Sequence, residues 1–177
     1  MVRSTPLATS PQTNTSQVET FQSLEFGQLG VVDESAVRFY RAPLRRQIFD
    51  VTADTQLPRI EIVVNYAGAD GLLLRAALRS GVVDGLVVAG LGLGSVTSAM
   101  FDAIKEAREQ HIPVAISTRV PTGRVFPLLP TKGSALALQR IGCVLADNLT
   151  PQKARILLML ALTKMHDPEA LQNYFNY

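Results

Sequence analysis

The sequence predicts an α/β fold built on a four-stranded parallel sheet, and three observations support this prediction. From residue 58 onward, short apolar runs alternate with amphipathic segments of helical length. Glycine and proline interrupt the sequence at the junctions between these segments. Hydrophobic residues make up 47% of the 177 residues, which is enough for a packed core. Strands that alternate with helices through short turns form parallel sheets covered on both faces, so a Rossmann-like or flavodoxin-like arrangement is expected.

Residues 1–42 are expected to form a separate and smaller region. Residues 1–15 are rich in Ser, Thr, Pro and Gln without periodicity, which predicts a loop or a disordered start. Ser16 and Glu19 have the spacing of a capping box, which indicates a short helix through Phe21.

A β-hairpin and a linker are predicted next. Apolar residues at 31–32 and alternating residues at 37–40 flank the polar turn 33–35, a pattern typical of a hairpin. Residues 43–57 begin with a proline and hold few positions suited to burial. We therefore expect them to form an interdomain linker.

Residues 58–177 are expected to be the α/β domain. The predicted strands are the apolar runs 60–64, 85–89, 113–117 and 142–146. The predicted helices are 70–79, one capped by Ser95, 151–165, and a last one opened by Asp167-Pro168, with a long loop and room for a short helix at 118–140.

Composition excludes several functions. A net charge of +2 lacks the clustered basic residues that nucleic-acid binding requires, so no nucleic-acid partner is expected. The single cysteine, Cys143, lies in an apolar run, and no Cys/His spacing suits a metal, so we expect neither metal nor cofactor. The apolar helix 156–162 is too short to span a membrane. Without an apolar leader the chain is expected to be cytoplasmic, or periplasmic if a longer precursor carries a signal.

The glycine-rich loop after the second predicted strand has two interpretations. Gly90, Gly92 and Gly94 lie between a strand and a helix, as in a dinucleotide-binding turn. Their spacing is nevertheless G-x-G-x-G, and no acidic residue ends the next strand at Thr118. A tight strand–helix turn is the favoured interpretation, and a small-ligand-binding domain is a third functional hypothesis.

Charged residues give a further set of candidates. Asp102 and Glu106 lie one turn apart on a predicted helix and are expected to form a solvated face. Arg119 and Arg124 flank a Pro-Thr-Gly turn, where they either bind a carboxylate or fasten the loop to the domain. The structural role is favoured. Residues 111–146 contain no Asp or Glu.

Two sequence blocks carry a family resemblance. The first, Thr118–Val125, is a strand end that runs into a loop, and the second, Ala146–Arg155, starts a helix with Thr150 as N-cap and Pro151 in the first turn. Together they resemble the C-terminal domain of bacterial L-asparaginases, amidohydrolases that convert asparagine, and often glutamine, to the acid and ammonia. Residues 13–15 and 39–41 resemble the end of that family's N-terminal domain, of which 1–42 would be a remnant.

The resemblance also implies which catalytic groups are missing. The family's two threonine nucleophiles lie in Thr-Gly-Gly-Thr and Thr-Asp-Thr segments, and neither segment occurs here. Gln12 stands where the family has a catalytic lysine. The loop Gly92, Leu93, Gly94 and Ser95 corresponds to one that contributes an asparagine to a neighbouring subunit's substrate site, and Leu93 stands in the place of that asparagine. A substrate-binding glutamate is missing from the loop after the third strand.

Two main hypotheses follow from this resemblance. The first is a C-terminal piece of an asparaginase that is inactive alone and either self-associates or binds an asparaginase N-terminal domain or subunit. The alternative is the C-terminal part of a working amidohydrolase whose N-terminal catalytic segment is encoded upstream. A small amino-acid amide would bind only if that segment completes the site, and no membrane partner is expected.

Overall fold

The computed structural model describes residues 2–4, 11–33, 36–42 and 48–176. The chain divides into two compact units, Met1–Gln47 and Ile48–Asn176.

The first unit contains a three-stranded antiparallel sheet. Its strands are β1 (Val2–Ser4), β2 (Gly30–Asp33) and β3 (Ala36–Phe39), in the order β1-β2-β3. The β2–β3 pair confirms the predicted hairpin, while turn residues 34 and 35 lie outside the described residues. The expectation of a loop or disorder over 1–15 is wrong for β1, because its three residues pair in register with β2.

The short helix predicted from Ser16 is also wrong, because turns occupy this stretch. The Asn14 carboxamide oxygen accepts hydrogen bonds from the backbone N–H groups of Ser16 and Gln17, at 2.9 and 3.1 Å. The Thr20 hydroxyl also bonds back to Asn14. Such side-chain-to-backbone bonds compete with the helical pattern.

The second unit confirms the predicted α/β fold. Its parallel sheet has the order β4-β5-β6-β7, formed by Ile60–Val64, Gly85–Gly90, Val114–Thr118 and Val144–Leu145. Strands β5 and β6 are buried along their whole length, which explains why β5 is apolar throughout and β6 is apolar up to its last two residues, Ser117 and Thr118. The helices are α1 (Leu72–Ser80), α2 (Ser98–Glu109), α3 (Ala135–Arg140), α4 (Pro151–Ala161) and α5 (Pro168–Phe175).

Helices cover both faces of this sheet. The main core cluster brings Leu74 of α1, Ile104 of α2 and Leu138 of α3 against one face. Leu158 of α4 and Phe175 of α5 are fully buried outside that cluster. Helices α1–α3 connect successive strands of a sheet whose order does not reverse, and right-handed crossovers place all three on the same face. Helices α4 and α5 therefore cover the opposite face.

The start of α2 differs from the prediction. Thr97, not Ser95, is the N-cap, and its hydroxyl accepts from Met100 N at 3.1 Å while donating to Ala69 O at 2.6 Å. Ser95 instead forms an isolated bridge with Leu91. Ser95 and Thr97 both suit the N-cap position of α2. Because the tight turn holds Ser95, Thr97 takes that position.

The start of α4 matches the prediction. Thr150 is its N-cap residue and Pro151 its first residue, although the Thr150 side chain makes no capping hydrogen bond.

Part of the predicted linker 43–57 lies within the second unit. The rings of Phe49 and Tyr174 stack with centroids 5.4 Å apart. Asp50 lies 3.7 Å from the Lys164 ammonium. Residues 43–47 are outside the described residues, so the linker assignment remains a prediction.

Candidate functional site

The carboxyl ends of the parallel strands bring three loops together at one edge of the sheet. The Thr118 hydroxyl at the end of β6 donates to Gly92 O at 2.8 Å. Two backbone bonds continue the connection, from Phe126 N to Leu93 O at 3.1 Å and from Val125 N to Asp147 O at 2.9 Å. The glycine loop after β5, the long loop after β6 and the loop after β7 are thus fastened to one another.

The glycine loop itself is a closed tight turn. Leu91 O accepts from both Gly94 N, at 3.0 Å, and Ser95 N, at 2.9 Å, and Leu91 N donates to Ser95 O at 2.7 Å. Gly94 has φ of 96°, and a Cβ added there would lie 2.6 Å from Val125 Cγ1. Glycine is therefore required for the backbone conformation and for packing.

This geometry disfavours the dinucleotide interpretation. The N–H groups of Gly94 and Ser95 are used within the turn and do not form a phosphate cradle. The strand order of this sheet also has no reversal, and in open α/β sheets ligand crevices form where the order reverses. The loop serves as a tight strand–helix connection.

An open apolar groove of about 320 Å³ lies beside the glycine loop. Its large apolar lining residues are Leu91, Leu93, Phe126 and Leu129. The Leu93 side chain is 41% exposed, so the loop presents an aliphatic group to the surroundings. The sequence prediction placed Gly92, Leu93, Gly94 and Ser95 in a substrate-binding loop, and this role remains a proposal.

The hydroxyl groups at this edge are bound to backbone carbonyls. Ser117 donates to Leu149 O at 2.6 Å, and Thr118 donates to Gly92 O. Ser134, which lines the groove, donates to Leu129 O. A nucleophilic hydroxyl must instead give its proton to a base. These three hydroxyls therefore fasten loops together in the observed arrangement.

Arg124 fastens the long loop, in agreement with the structural interpretation. Its guanidinium lies 3.8 Å from the Asp147 carboxylate and 4.8 Å from the centroid of the Phe126 ring. The backbone N–H of Arg119 also binds Gly90 O at 3.1 Å. Both ends of the Pro-Thr-Gly turn are thereby attached to neighbouring segments.

Asp102 and Glu106 form ion pairs that the sequence prediction missed. Glu106 binds the Arg75 guanidinium through both oxygens, at 2.6 and 2.8 Å, and joins α2 to α1. These hydrogen bonds hold the pKa of Glu106 below its usual value. Asp102 lies 2.8 Å from the Lys132 ammonium, on the long loop. The two carboxylates serve as anchors on the surface of α2.

Gln12, the residue predicted to replace a catalytic lysine, lies in the first unit. Its side-chain amide is exposed and donates to Asn14 O at 3.1 Å. Its backbone forms an isolated bridge with Phe21. The side chain thus stabilises a local turn, and its relation to the family's lysine remains a proposal.

Other chemically reactive groups do not assemble into a site. Cys143 is buried, and this burial raises the pKa of its thiol to about 12. Across residues 2–4, 11–33, 36–42 and 48–176, no three His, Cys, Asp or Glu side chains cluster as metal ligands. The same residues include no helix with the length and hydropathy needed to cross a membrane.

A family comparison agrees with this architecture. The sequence model of the Glutaminase/Asparaginase C-terminal domain matches residues 59–175, which is more than half of the chain. The chain belongs to the asparaginase/glutaminase family. The match covers the parallel sheet and its five helices, so the second unit is the family's C-terminal domain.

Individual relatives give the same assignment. L-asparaginase 2 of Escherichia coli K12 is 38% identical over 169 residues, which are 93% of this chain and 47% of the relative. A probable periplasmic L-asparaginase of Haemophilus influenzae is 36% identical over 168 residues, 93% of this chain and 46% of the relative. The chain therefore spans about half the length of the curated relatives it matches.

A solved structure shares the fold. The crystal structure of a probable cytoplasmic L-asparaginase from Campylobacter jejuni superposes with a TM-score of 0.82 and 35% identity, covering 94% of this chain and 52% of that one. Similar proteins thus include a probable cytoplasmic and a probable periplasmic asparaginase, and the cytoplasmic location of this chain remains a prediction.

Proposed function

We propose that this chain is an asparaginase-family C-terminal domain that does not hydrolyse asparagine or glutamine by itself. The observation that carries the proposal is Leu93, whose half-exposed side chain occupies the loop position where the resemblance implies an asparagine. On the same resemblance, residues 1–42 correspond to the end of the family's N-terminal domain, and residues 43–57 to the linker.

The exchange of an amide for an aliphatic group changes what this loop offers a substrate. An asparagine side chain supplies two N–H donors and one carbonyl acceptor, whereas leucine supplies neither. A polar substrate group left unsatisfied in a closed site costs about 1–3 kcal/mol, equivalent to roughly 5- to 150-fold in binding or rate. Leu93 therefore favours a packing role for the loop.

Other groups of the chain support the same proposal. The hydroxyls of Ser117, Thr118 and Ser134 bind backbone carbonyls rather than bases. Residues 111–146 contain no carboxylate that would bind a substrate's amino group. Gln12 carries a neutral amide, which does not replace the protonation chemistry of a lysine.

The carboxyl edge is proposed as a surface for protein association. Large apolar side chains remain exposed on the loops and helix start there, including Leu72, Leu73 and Leu128 at 59%, 64% and 60%. Together with Leu93 they provide apolar area of a kind typical of interfaces. The proposed occupant is a second copy or an asparaginase N-terminal domain.

A chimera tests this proposal. Residues 59–175 would replace the C-terminal domain of E. coli L-asparaginase 2, and ammonia release from asparagine would be measured. We expect a folded chimera with little activity, and an increase of at least about fivefold on Leu93→Asn, because the amide donors return. The matched control is Leu128→Asn, which adds an amide outside the glycine loop.

Two results would contradict the proposal. The first is a chimera that keeps leucine at position 93 and is as active as the parent enzyme. The second is equal stimulation by the Leu93 and Leu128 substitutions. Thermal unfolding of each chimera identifies losses of activity that come from misfolding.

A further inference from the structure

The Gln172 side chain of α5 binds both backbone polar groups of Leu145. Its carboxamide oxygen accepts from Leu145 N at 2.8 Å, and its Nε2 donates to Leu145 O at 3.0 Å. Nε2 also donates to Asn176 Oδ1 at 3.0 Å. One side chain thus satisfies a complete donor–acceptor pair of the sheet.

Leu145 lies on an outer edge of that sheet. Its strand, β7, has two residues and pairs with β6 along one side only. Ala146 N bonds inward to Ile116 O, so the alternating backbone directs the polar groups of Leu145 outward. The Gln172 amide has the same donor and acceptor as a peptide group and occupies the position of a fifth strand.

The helix that carries Gln172 depends on docking for its stability. Helix α5 has eight residues, and isolated helices of this length are unstable in water. Leu171 and Phe175, at 1% and 0% exposed, attach it to the domain. Loss of the Gln172 bonds would leave two buried backbone groups unsatisfied and would favour release of the helix.

We propose that Gln172 closes a latent self-association edge on β7. A residue that directs both its N–H and its C=O outward forms a hydrogen-bonded antiparallel pair with the same residue of a second copy. Such a pair lies on a two-fold axis and is self-complementary. When α5 is released, Leu145 of one copy pairs with Leu145 of another. This inference does not depend on the proposed function.

The test combines hydrogen exchange with sedimentation velocity on the full chain. Gln172→Leu removes both bonds, and Gln172→Asn keeps an amide that is one carbon too short to span them. Asn173→Ala, an exposed position on the same helix, is the control. At low concentration, both Gln172 variants should exchange the Leu145 amide about tenfold faster than wild type. At higher concentration they should form an additional dimer, while Asn173→Ala behaves as wild type.

Three results would overturn the proposal. The first is wild-type exchange at Leu145 in both Gln172 variants. The second is faster exchange with no added association at any concentration. The third is an equal rise in exchange across β5, β6 and β7, which would reflect global destabilisation.

Discussion

Thr118 and Gly92 are joined by a hydrogen bond of 2.8 Å that attaches the end of β6 to the glycine loop after β5. Thr118 is 5% exposed, so its hydroxyl is held in place by the surrounding core. The bond fixes the loop that presents Leu93 at the carboxyl edge. Its loss should therefore loosen the candidate site before it disturbs the sheet.

Thr118→Val should lower the free energy of unfolding by about 1 kcal/mol, because valine keeps the volume and removes the hydroxyl. Urea denaturation measures this loss, and hydrogen exchange should show faster opening at 90–95. Thr131→Val, at an exposed position of the long loop, should change stability by less than about 0.5 kcal/mol. Equal effects of the two substitutions would argue against a role for the Thr118 bond.

Gly94→Ala should lower the free energy of unfolding by about 2–4 kcal/mol. The new Cβ would meet Val125 Cγ1 at 2.6 Å, and the positive φ adds strain. Gly92→Ala is the matched control, because its φ of 50° is also positive but no atom lies within 4 Å of an added Cβ. Its expected cost is about 1–2 kcal/mol. Denaturation curves that place Gly92→Ala at or beyond Gly94→Ala would refute the packing explanation.

Glu106→Gln should reduce the dependence of stability on acid pH. The Arg75 hydrogen bonds lower the pKa of Glu106 in the folded state. Its stabilising contribution is therefore complete above the ordinary glutamate pKa of about 4.3, and is lost as pH falls through the folded pKa. Wild type should therefore melt at a higher temperature than the variant at pH 7. This difference in melting temperature should disappear in acid.

Glu109→Gln is the control for this experiment. Its carboxylate lies 3.7 Å from the Lys105 ammonium, on an exposed turn of the same helix, so a smaller difference is expected. A Glu106→Gln difference that stays constant from pH 7 into acid would exclude the proposed pKa linkage.

Cys143 should not react with a thiol reagent while the protein is folded. Burial raises the pKa of this thiol to about 12, so almost no thiolate forms at pH 8. One equivalent of thiol should react after denaturation in urea, measured with a chromogenic disulfide. Rapid labelling of the native chain at pH 8 would contradict this expectation.

The sequence was sufficient to predict the core of the fold. Strands β5 and β6 are buried on both faces, so β5 and the first three residues of β6 are apolar, and these runs identify the two strands without knowledge of their neighbours. Proline at the start of α4 and glycine after α1 marked helix ends. These signals are local in sequence, and the tertiary structure favours the same helix ends and strands that they predict.

Predictions failed where a second local partner competed. The Ser16 spacing fits a helix cap, but the Asn14 side chain binds the backbone N–H groups of Ser16 and Gln17 and holds a turn. Ser95 fits a cap equally well, but its N–H closes the turn on Leu91 O and leaves Thr97 to begin α2. Residue spacing alone does not show which of two competing hydrogen-bonding residues will form the cap or the turn.

Long-range side-chain contacts could not be predicted from the sequence. Arg75 and Glu106 lie 31 positions apart, and Gln172 and Leu145 lie 27 apart. The residues next to a glutamine or an acid on a helix surface do not indicate which distant residue that side chain binds. The one available signal was the absence of acids over 111–146, because the carboxylates that pair with Arg124 and Lys132 then come from outside that range, at Asp147 and Asp102.

Ammonia release by the purified chain tests the central proposal most directly. Asparagine and glutamine would be supplied separately at neutral pH, with a heat-treated sample as the blank and E. coli L-asparaginase 2 as the positive control. We predict release from either substrate that equals the blank. Hydrolysis above the blank that co-purifies with the chain and persists in a second preparation would contradict the account.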